Sequence, residues 1–427
     1  MNLEEKLRQL KNAAKKSGAE AELERQLDYL RRLNGGFKPL PAERVPCRIE
    51  EYVQGQTYRL PAGEYFMAEQ ALPLGRPYGN MRIGDIAASS LSSLDLFLEG
   101  NGLPEPERLV FLDTETTGLA GGTGTCAFLI GIGVIEGPQF VVRQYFLRDY
   151  TEETAVLTAL AERLHAGAGL VTFNGKTFDV PLLETRYTLS RLRSPFRRMI
   201  HLDLLHPARR LWKLRLESCR LTNLESHVLG LEREGDVPGS EIPAIYFDYL
   251  RTGDARGLQP VFFHNALDII TLAALTVEMA RVIERARNSD QLALPAALDL
   301  FSLSRIFERA GETALSASTC SLAIEKGLPE ATQPEALWHL AVQHKRRLEF
   351  ERAEEIWLEL AELKEPIAVQ AYRELAVYHE HRRRDAARAL EFTERALALL
   401  SSAEAGDPRS MERFHHRRKR LQKRLGA

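Results

Sequence analysis

The chain is 427 residues long, 44% hydrophobic and 27% charged, with a formal net charge of −2. That length exceeds one ordinary core and implies two or three domains, and no apolar run approaches the roughly 20 residues that span a bilayer, so no membrane role is expected. The four cysteines, Cys47, Cys126, Cys219 and Cys320, form no CxxC pair, which argues against structural zinc and a disulfide framework and for a reducing, cytoplasmic setting.

The charged N-terminus (Glu4, Glu5, Lys6, Arg8) lacks a signal-peptide core. Leu3, Leu7 and Leu10, then Leu23, Leu27, Leu30 and Leu33, carry helical spacing that breaks near Ser17-Gly18 and stops at Asn34-Gly35-Gly36. This N-terminal arm, residues 1–36, reads as a helical hairpin packed on the main body in preference to a coiled-coil partner site. Residues 37–107 turn rich in Pro, Gly and aromatics and read as an N-terminal extension with short strands and one amphipathic helix ending at Asn101-Gly102.

Residues 108–288 alternate strands and helices. Strands are expected at Leu109–Asp113, Ala127–Ile135 and Phe140–Leu147, the first two joined by the Gly-rich turn Gly118–Gly124. A helix follows over Glu152–His165, then a strand at Leu170–Phe173 and a helix from about Pro181, whose missing N–H costs nothing in a first turn. A short strand at Met199–Leu202 ends at Asp203. Thr222-x-x-Glu225 reads as a capping box for a short helix closed by Gly230, and a long helix spans Val261–Arg287. The pattern implies an α/β domain, a mixed central sheet flanked by helices.

Residues 295–427 read as all-α and repetitive. Leu340-Ala341 recurs as Leu375-Ala376, and Ala353 as Ala389, at a spacing of about 35 residues, close to the 34 of tetratricopeptide repeats. Stacked helical pairs of this kind serve as scaffolds or peptide-binding surfaces, which would bring a protein partner; a helical appendage without a ligand is the other reading.

The chemistry centres on four acids. Side chains alternate along a strand, so Asp113 and Glu115 at the end of Leu109-Val-Phe-Leu share one face. Two adjacent carboxylates repel, and a divalent cation is the usual means of keeping both ionised. Downstream, Asn174-Gly-Lys176-Thr-Phe-Asp179-Val-Pro181 puts an acid between a strand end and a helix start, where alone it would be a cap. In His264-Asn265-Ala-Leu-Asp268-Ile-Ile, Asp268 sits among apolar residues of a helix that must bury one face. An unpaired carboxylate there costs several kcal/mol unless it is paired or bound to metal.

These segments resemble the DEDD exonuclease superfamily of the ribonuclease H-like fold. Asp113 and Glu115 match its Asp-x-Glu motif, Asn-x-x-x-Phe-Asp-x-Pro with Asp179 looks like its second motif, and Asp268 preceded by His264 looks like its third. The wording His-Asn-x-x-Asp followed by tetratricopeptide-like repeats is most similar to the bacterial YprB-like proteins. The resemblance implies a metal-dependent nuclease, a 3′-5′ exonuclease acting on DNA or RNA. It also implies two Mg2+ or Mn2+ ions held by Asp113, Glu115, Asp179 and Asp268. One branch of the superfamily places a histidine five residues before the last acid and another a tyrosine four residues before it. This chain has a histidine at the tyrosine spacing. Positions i and i+4 share a helix face, so His264 is read as a general base, with a packing role at the helix start as the alternative.

Asn174 and Lys176 are candidates for phosphate contact or for a structural turn. Asp203 is a candidate supporting acid, and His201 and His206 are read as surface or core residues. From Arg186 to Arg220 the basic residues, including Arg209 and Arg210, far outnumber Asp203 and Glu217, a distribution that suits a phosphate backbone. The basic C-terminal tail reads as a solvated face. The rival reading of the whole is a nucleic-acid-binding or protein-interaction scaffold with a weakly active or inactive nuclease-like domain.

Overall fold

The structure, a computed structural model, describes residues 47–98, 100, 102–118, 124–288, 295–363, 366–402 and 408–426. The expected hairpin of residues 1–36 and positions 119–123 of the Gly-rich turn lie outside them. Strands β1 (Gly55–Leu60) and β2 (Gly63–Pro73) form a hairpin, and β3 (Pro77–Tyr78) and β4 (Met81–Arg82) a separate small ribbon. Strands β5 (Leu109–Thr116), β6 (Ala127–Glu136), β7 (Gln139–Phe146), β8 (Gly169–Thr172) and β9 (Ile200–Asp203) complete a seven-stranded mixed sheet in the order β1-β2-β7-β6-β5-β8-β9. Within this sheet β5-β8 and β8-β9 pair parallel and the other described neighbours antiparallel.

The apolar run Leu109-Val-Phe-Leu is wholly buried because β5 is covered on both faces. Leu109 and Phe111 join one core with Val171, Leu202 and Ile269, and Val110 and Leu112 join the other with Leu160, Leu183 and Tyr187. The helices supplying these layers are α1 (Asp85–Ala88), α2 (Glu153–Leu164), α3 (Asp179–Leu189), α4 (Leu205–Trp212), α5 (Leu221–Leu224), α6 (Ile242–Thr252) and α7 (Gln259–Asn288).

Two local expectations are corrected. The amphipathic helix ending at Asn101-Gly102 is replaced by a 3-10 turn over Ser92–Phe97. Asp95 turns back to accept the Leu103 N–H at 2.8 Å, which closes the chain before a longer helix can run. The Thr222–Glu225 capping box does not form either: α5 starts after Arg220 with no side-chain cap, and a single π-turn, Glu225–Leu229, ends at left-handed Gly230. Glu225 is pulled inward to Arg233 and Thr271 instead.

Among the described residues seven helices follow: α8 (Ala297–Arg309), α9 (Thr313–Glu325), α10 (Gln333–Arg346), α11 (Phe350–Ala361), α12 (Pro366–Tyr378), α13 (Ala386–Ser402) and α14 (Pro408–Leu425). Each packs on its predecessor. Ala341 and Ala376, on α10 and α12, are fully buried, as are Ala353 and Ala389 on α11 and α13. Leu300, Phe301 and Phe307 of α8 share one core with Trp212 of α4 and Met279 of α7, which makes the sheet layer and the first helices of this region continuous. The later helices have their own core around Trp357, Leu375 and Phe392.

Arg215, beyond α4, donates to both oxygens of buried Asp299 on α8 at 2.9 Å. Removing the guanidinium leaves a buried carboxylate unpaired, a loss that reaches 3–5 kcal/mol for a fully buried pair. Because Arg215 itself is partly exposed, Arg215→Ala should cost about 2 kcal/mol, read as a lower urea midpoint. Pairing it with Asp299→Asn should restore part of that loss.

Candidate functional site

Alternation along β5 puts Asp113 and Glu115 on the same face as Phe111, under α7. Helix α7 comes unusually near because β6 offers glycine there: a Cβ at Gly131, the register partner of Asp113, would lie 2.2 Å from Asn265 Oδ1. Asn265 is fully buried in that gap. Its Nδ2 donates to Asp113 Oδ2 at 2.9 Å, and its Oδ1 accepts from Gln144 Nε2 at 2.9 Å. His264 and Asp268, one turn apart, lie on the same side of α7, with His264 Nε2 3.7 Å from Asp268 Oδ2 and 4.0 Å from Glu115 Oε1.

Asp179 arrives from the other layer as the first residue of α3, where a carboxylate is favoured by the unpaired N–H groups of the helix start. Thr114 Oγ1 donates to its Oδ1 at 2.5 Å. The turn before it is braced by Asp203, whose oxygens accept the N–H groups of Asn174 at 2.7 Å and Lys176 at 3.0 Å. Asn174 sits at φ 65° and takes part through its backbone. A side chain at Gly175 would run into Thr172, 2.4 Å away.

The structure therefore brings Asp113, Glu115, Asp179, Asp268 and His264 together. Burial and then the neighbouring carboxylates Asp268, Glu115 and Asp179 raise Asp113 well above the ordinary range. Glu115 is pushed up to about 8 by burial and by Asp268 and Asp179. Asp179 rises to about 6, chiefly by burial, with the Thr114 hydroxyl opposing. Burial also raises Asp268, against Arg233 and His264. Some exposure persists, 12% for Glu115 and 14% for Asp268, so the acids face an opening.

Sequence reasoning missed the groups that hold this cluster. Arg233, in the loop after Gly230, donates to Asp268 and to Glu225, at 2.6 and 2.7 Å for the two Glu225 oxygens. Burial alone would depress that guanidinium, and Glu225 and Asp268 more than reverse the effect. Asp236 accepts from Arg233 at 2.9 Å and contacts His264 Nδ1 at 2.9 Å. A His264 Nδ1–H donated to Asp236 leaves Nε2 as the acceptor facing the acids. Tyr78 of the small ribbon bonds Thr271 at 2.7 Å, and Thr271 donates to Glu225, so the N-terminal segment supports Arg233 indirectly. The one available signal was Arg233 and Asp236 in a Gly-containing loop, too generic to assign.

The basic candidates divide. Arg186 lies seven residues along α3 from Asp179, about 10 Å, and is committed to Glu153 by two bonds of 2.6 Å, so it does not join the acids. Lys176 and Arg210 line one cavity of 490 Å³ with His201, Asp203 and His206. His201 bonds Thr172 at 2.8 Å and is lowered to about 4 by burial and then Lys176, as suits a neutral core histidine. Arg209 is exposed on α4.

The donor set, four carboxylates with a histidine beside them, is the hard oxygen type that suits Mg2+ or Mn2+. As they stand, no three His, Cys, Asp or Glu side chains among the described residues are gathered tightly enough to hold an ion. Asp113, Asp179 and Asp268 are each turned to a protein donor instead: Asn265, Thr114 and Arg233.

Residues 110–280 match the RNase H superfamily. The match begins in β5 and ends in α7, the two elements that carry Asp113, Glu115, His264 and Asp268. The mixed sheet and its flanking helices form a ribonuclease H-like domain, and the helical region follows it. The chain is also similar to YprB of Bacillus subtilis (strain 168), 29% identical over 394 residues, which is 92% of this chain and 89% of that protein. The superfamily match makes the domain nuclease-like.

Carboxyls whose folded values are raised stabilise the fold when protonated, and that contribution is lost as pH rises through those values. For Glu115 the window runs from about 4.5 to about 8. Without divalent cation, the melting temperature should fall as pH increases across this window, and Glu115→Gln should flatten the decline. An unchanged profile in the variant would mean that Glu115 ionises freely in the folded state.

Proposed function

We propose that the ribonuclease H-like domain is a metal-dependent nuclease of the DEDD exonuclease type that hydrolyses phosphodiester bonds from a 3′ end. The observation that carries this reading is the convergence of Asp113, Glu115, Asp179 and Asp268 with raised proton affinities, faced among the described residues by the Arg233 guanidinium. So concentrated an array of acids stabilises nothing by itself and calls for cationic charge. Two Mg2+ or Mn2+ ions held by these carboxylates would supply water activation and stabilisation of the departing oxygen.

The chain's own residues do the rest. His264, oriented through Nδ1 by Asp236, presents Nε2 to take a proton from the attacking water. Asn265 fixes the rotamer of Asp113. Arg233 holds Asp268 in place and offers positive charge beside the reacting phosphate. Phe178 and Phe263, neighbours in sequence of Asp179 and His264, keep about half of their surfaces exposed and provide rings on which terminal bases can stack. Lys176 and Arg210 meet the backbone.

A second reading has one observation in its favour. Arg233 pairs with Asp268, which is how a site without ions would neutralise itself, so a binding domain with little turnover is the rival.

With Mg2+ or Mn2+, the chain should shorten 3′-labelled or 5′-labelled DNA or RNA, and Asp113→Asn and Asp268→Asn should each abolish the reaction. Cleavage by both variants would remove the acids from the mechanism, and no cleavage of any substrate by the unsubstituted chain would favour the rival. Mn2+ should also raise the melting temperature of the unsubstituted chain but not of Asp113→Asn.

His264→Ala should slow cleavage about 100-fold, the scale of general-base assistance. Asp236→Asn should slow it less, because the amide can still contact Nδ1 but no longer enforces the Nδ1–H form. Equal rates for both variants and the unsubstituted chain would assign His264 to packing.

A further inference from the structure

Basic residues gather a second time where α4 of the ribonuclease H-like domain packs against α8 of the helical region. A groove of 260 Å³ runs between them, lined by Arg209, Arg210, Lys213, Arg305 and Arg309, with no carboxylate in its walls among the described residues. Arg305 and Arg309 are one turn apart on α8, with Ser302 a turn earlier, so that helix turns one continuous face to the groove. The acids of α8 are engaged elsewhere, Asp299 with Arg215 and Glu308 with Arg346 and His339. Arg305 reaches Glu335 at 3.2 Å, an exposed pair of little energetic weight.

Ser302, only 3% exposed, has no hydrogen-bond partner for its hydroxyl among the described residues. A buried hydroxyl without such a partner, beside five clustered cations, is chemistry that suits an anion. Arg210 also lines the 490 Å³ cavity with Lys176, which stands three residues before Asp179 in the chain, so the two cavities share Arg210 as a common wall residue. A free phosphate needs one pocket, whereas two cavities that share an arginine suit a chain of phosphates.

We propose that this groove binds backbone phosphates of a nucleic-acid strand whose end lies at the four acids, so that the helical region holds the strand away from the point of cleavage. The inference rests on the nuclease reading. Single-stranded DNA and RNA of five and 25 nucleotides, 5′-labelled with fluorescein, are titrated by anisotropy against full-length Asp113→Asn, which prevents turnover. The same is done in that background with Arg209→Gln, Lys213→Gln, Arg305→Gln and Arg309→Gln combined.

The groove variant should bind the 25-mer at least about tenfold more weakly, with a salt slope flatter by about two to three, at roughly 0.7 per phosphate contact. Binding of the 5-mer should change less than twofold. A matching set with lysine at positions 209, 305 and 309 should retain 25-mer binding, which separates lost charge from lost fold. Equal 25-mer affinity in parent and groove variant overturns the groove while leaving the nuclease reading intact. Calorimetry with inorganic pyrophosphate covers the other source of phosphate: binding that depends on the groove, with 25-mer affinity unaffected by its removal, also overturns the proposal. No oligonucleotide binding by the parent, together with no cleavage by the unsubstituted chain, overturns both.

Discussion

Mutual repulsion among four largely buried carboxylates, two from the end of β5 and one each from α3 and α7, is the constraint around which this molecule is arranged. Asp113, Asp179 and Asp268 each accept from a side-chain donor, and these donors differ in kind: an amide, a hydroxyl and a guanidinium. Glu115 has no hydrogen-bond donor among the described residues, and its proton affinity is pushed up to about 8. The donors are themselves held by a second set of bonds, Asn265 by Gln144 and Arg233 by Glu225 and Asp236. Such a scaffold keeps like charges together only while every donor stays in register, which is why the approach of α7 over Gly131 matters so much.

The two-layer construction explains how acids from distant segments meet. Asp113 and Glu115 alternate toward α7, whereas Thr114 alternates away and meets α3. Asp179 can therefore join the cluster from the opposite layer, because the strand ends and the two layers lose their separator beyond Thr116. The parallel neighbours β8 and β9 end at the same edge, and Asp203 at the end of β9 ties the turn that leads into α3. Strand ends, rather than loops alone, set the position of Asp179.

What could be read from the residues was whatever depends on local periodicity. The strands β5 to β9, the helices α2, α3 and α7, and the shared face of Asp113 and Glu115 follow from alternation or helical spacing. Pairings between segments did not follow. Glu225 satisfies a capping-box pattern, yet it is drawn into a buried bond with Arg233, and a charged tertiary partner outweighs a cap near 1 kcal/mol. Arg186 stands in a basic stretch but reaches back to Glu153, because neighbours in space and not in sequence decide which charges remain available. Arg233 and Asp236 carried no pattern, since a loop residue gains its meaning only from the helix it touches.

The helical region is tied to the domain that carries the acids through two elements, α7 and α4. Helix α7 runs for 30 residues, roughly 45 Å at 1.5 Å per residue. His264, Asn265 and Asp268 occupy its early turns and the residues packed near α8 its later ones, including Met279 and Ile283. A second tie, Arg215 to Asp299, fixes α8 beside α4. Anything that seats α8 differently must either bend α7 or break that ion pair, and both routes cost packing in the shared core. The basic walls of α4 and α8 thus keep a set distance from the four acids, as a surface that tracks a phosphate chain requires.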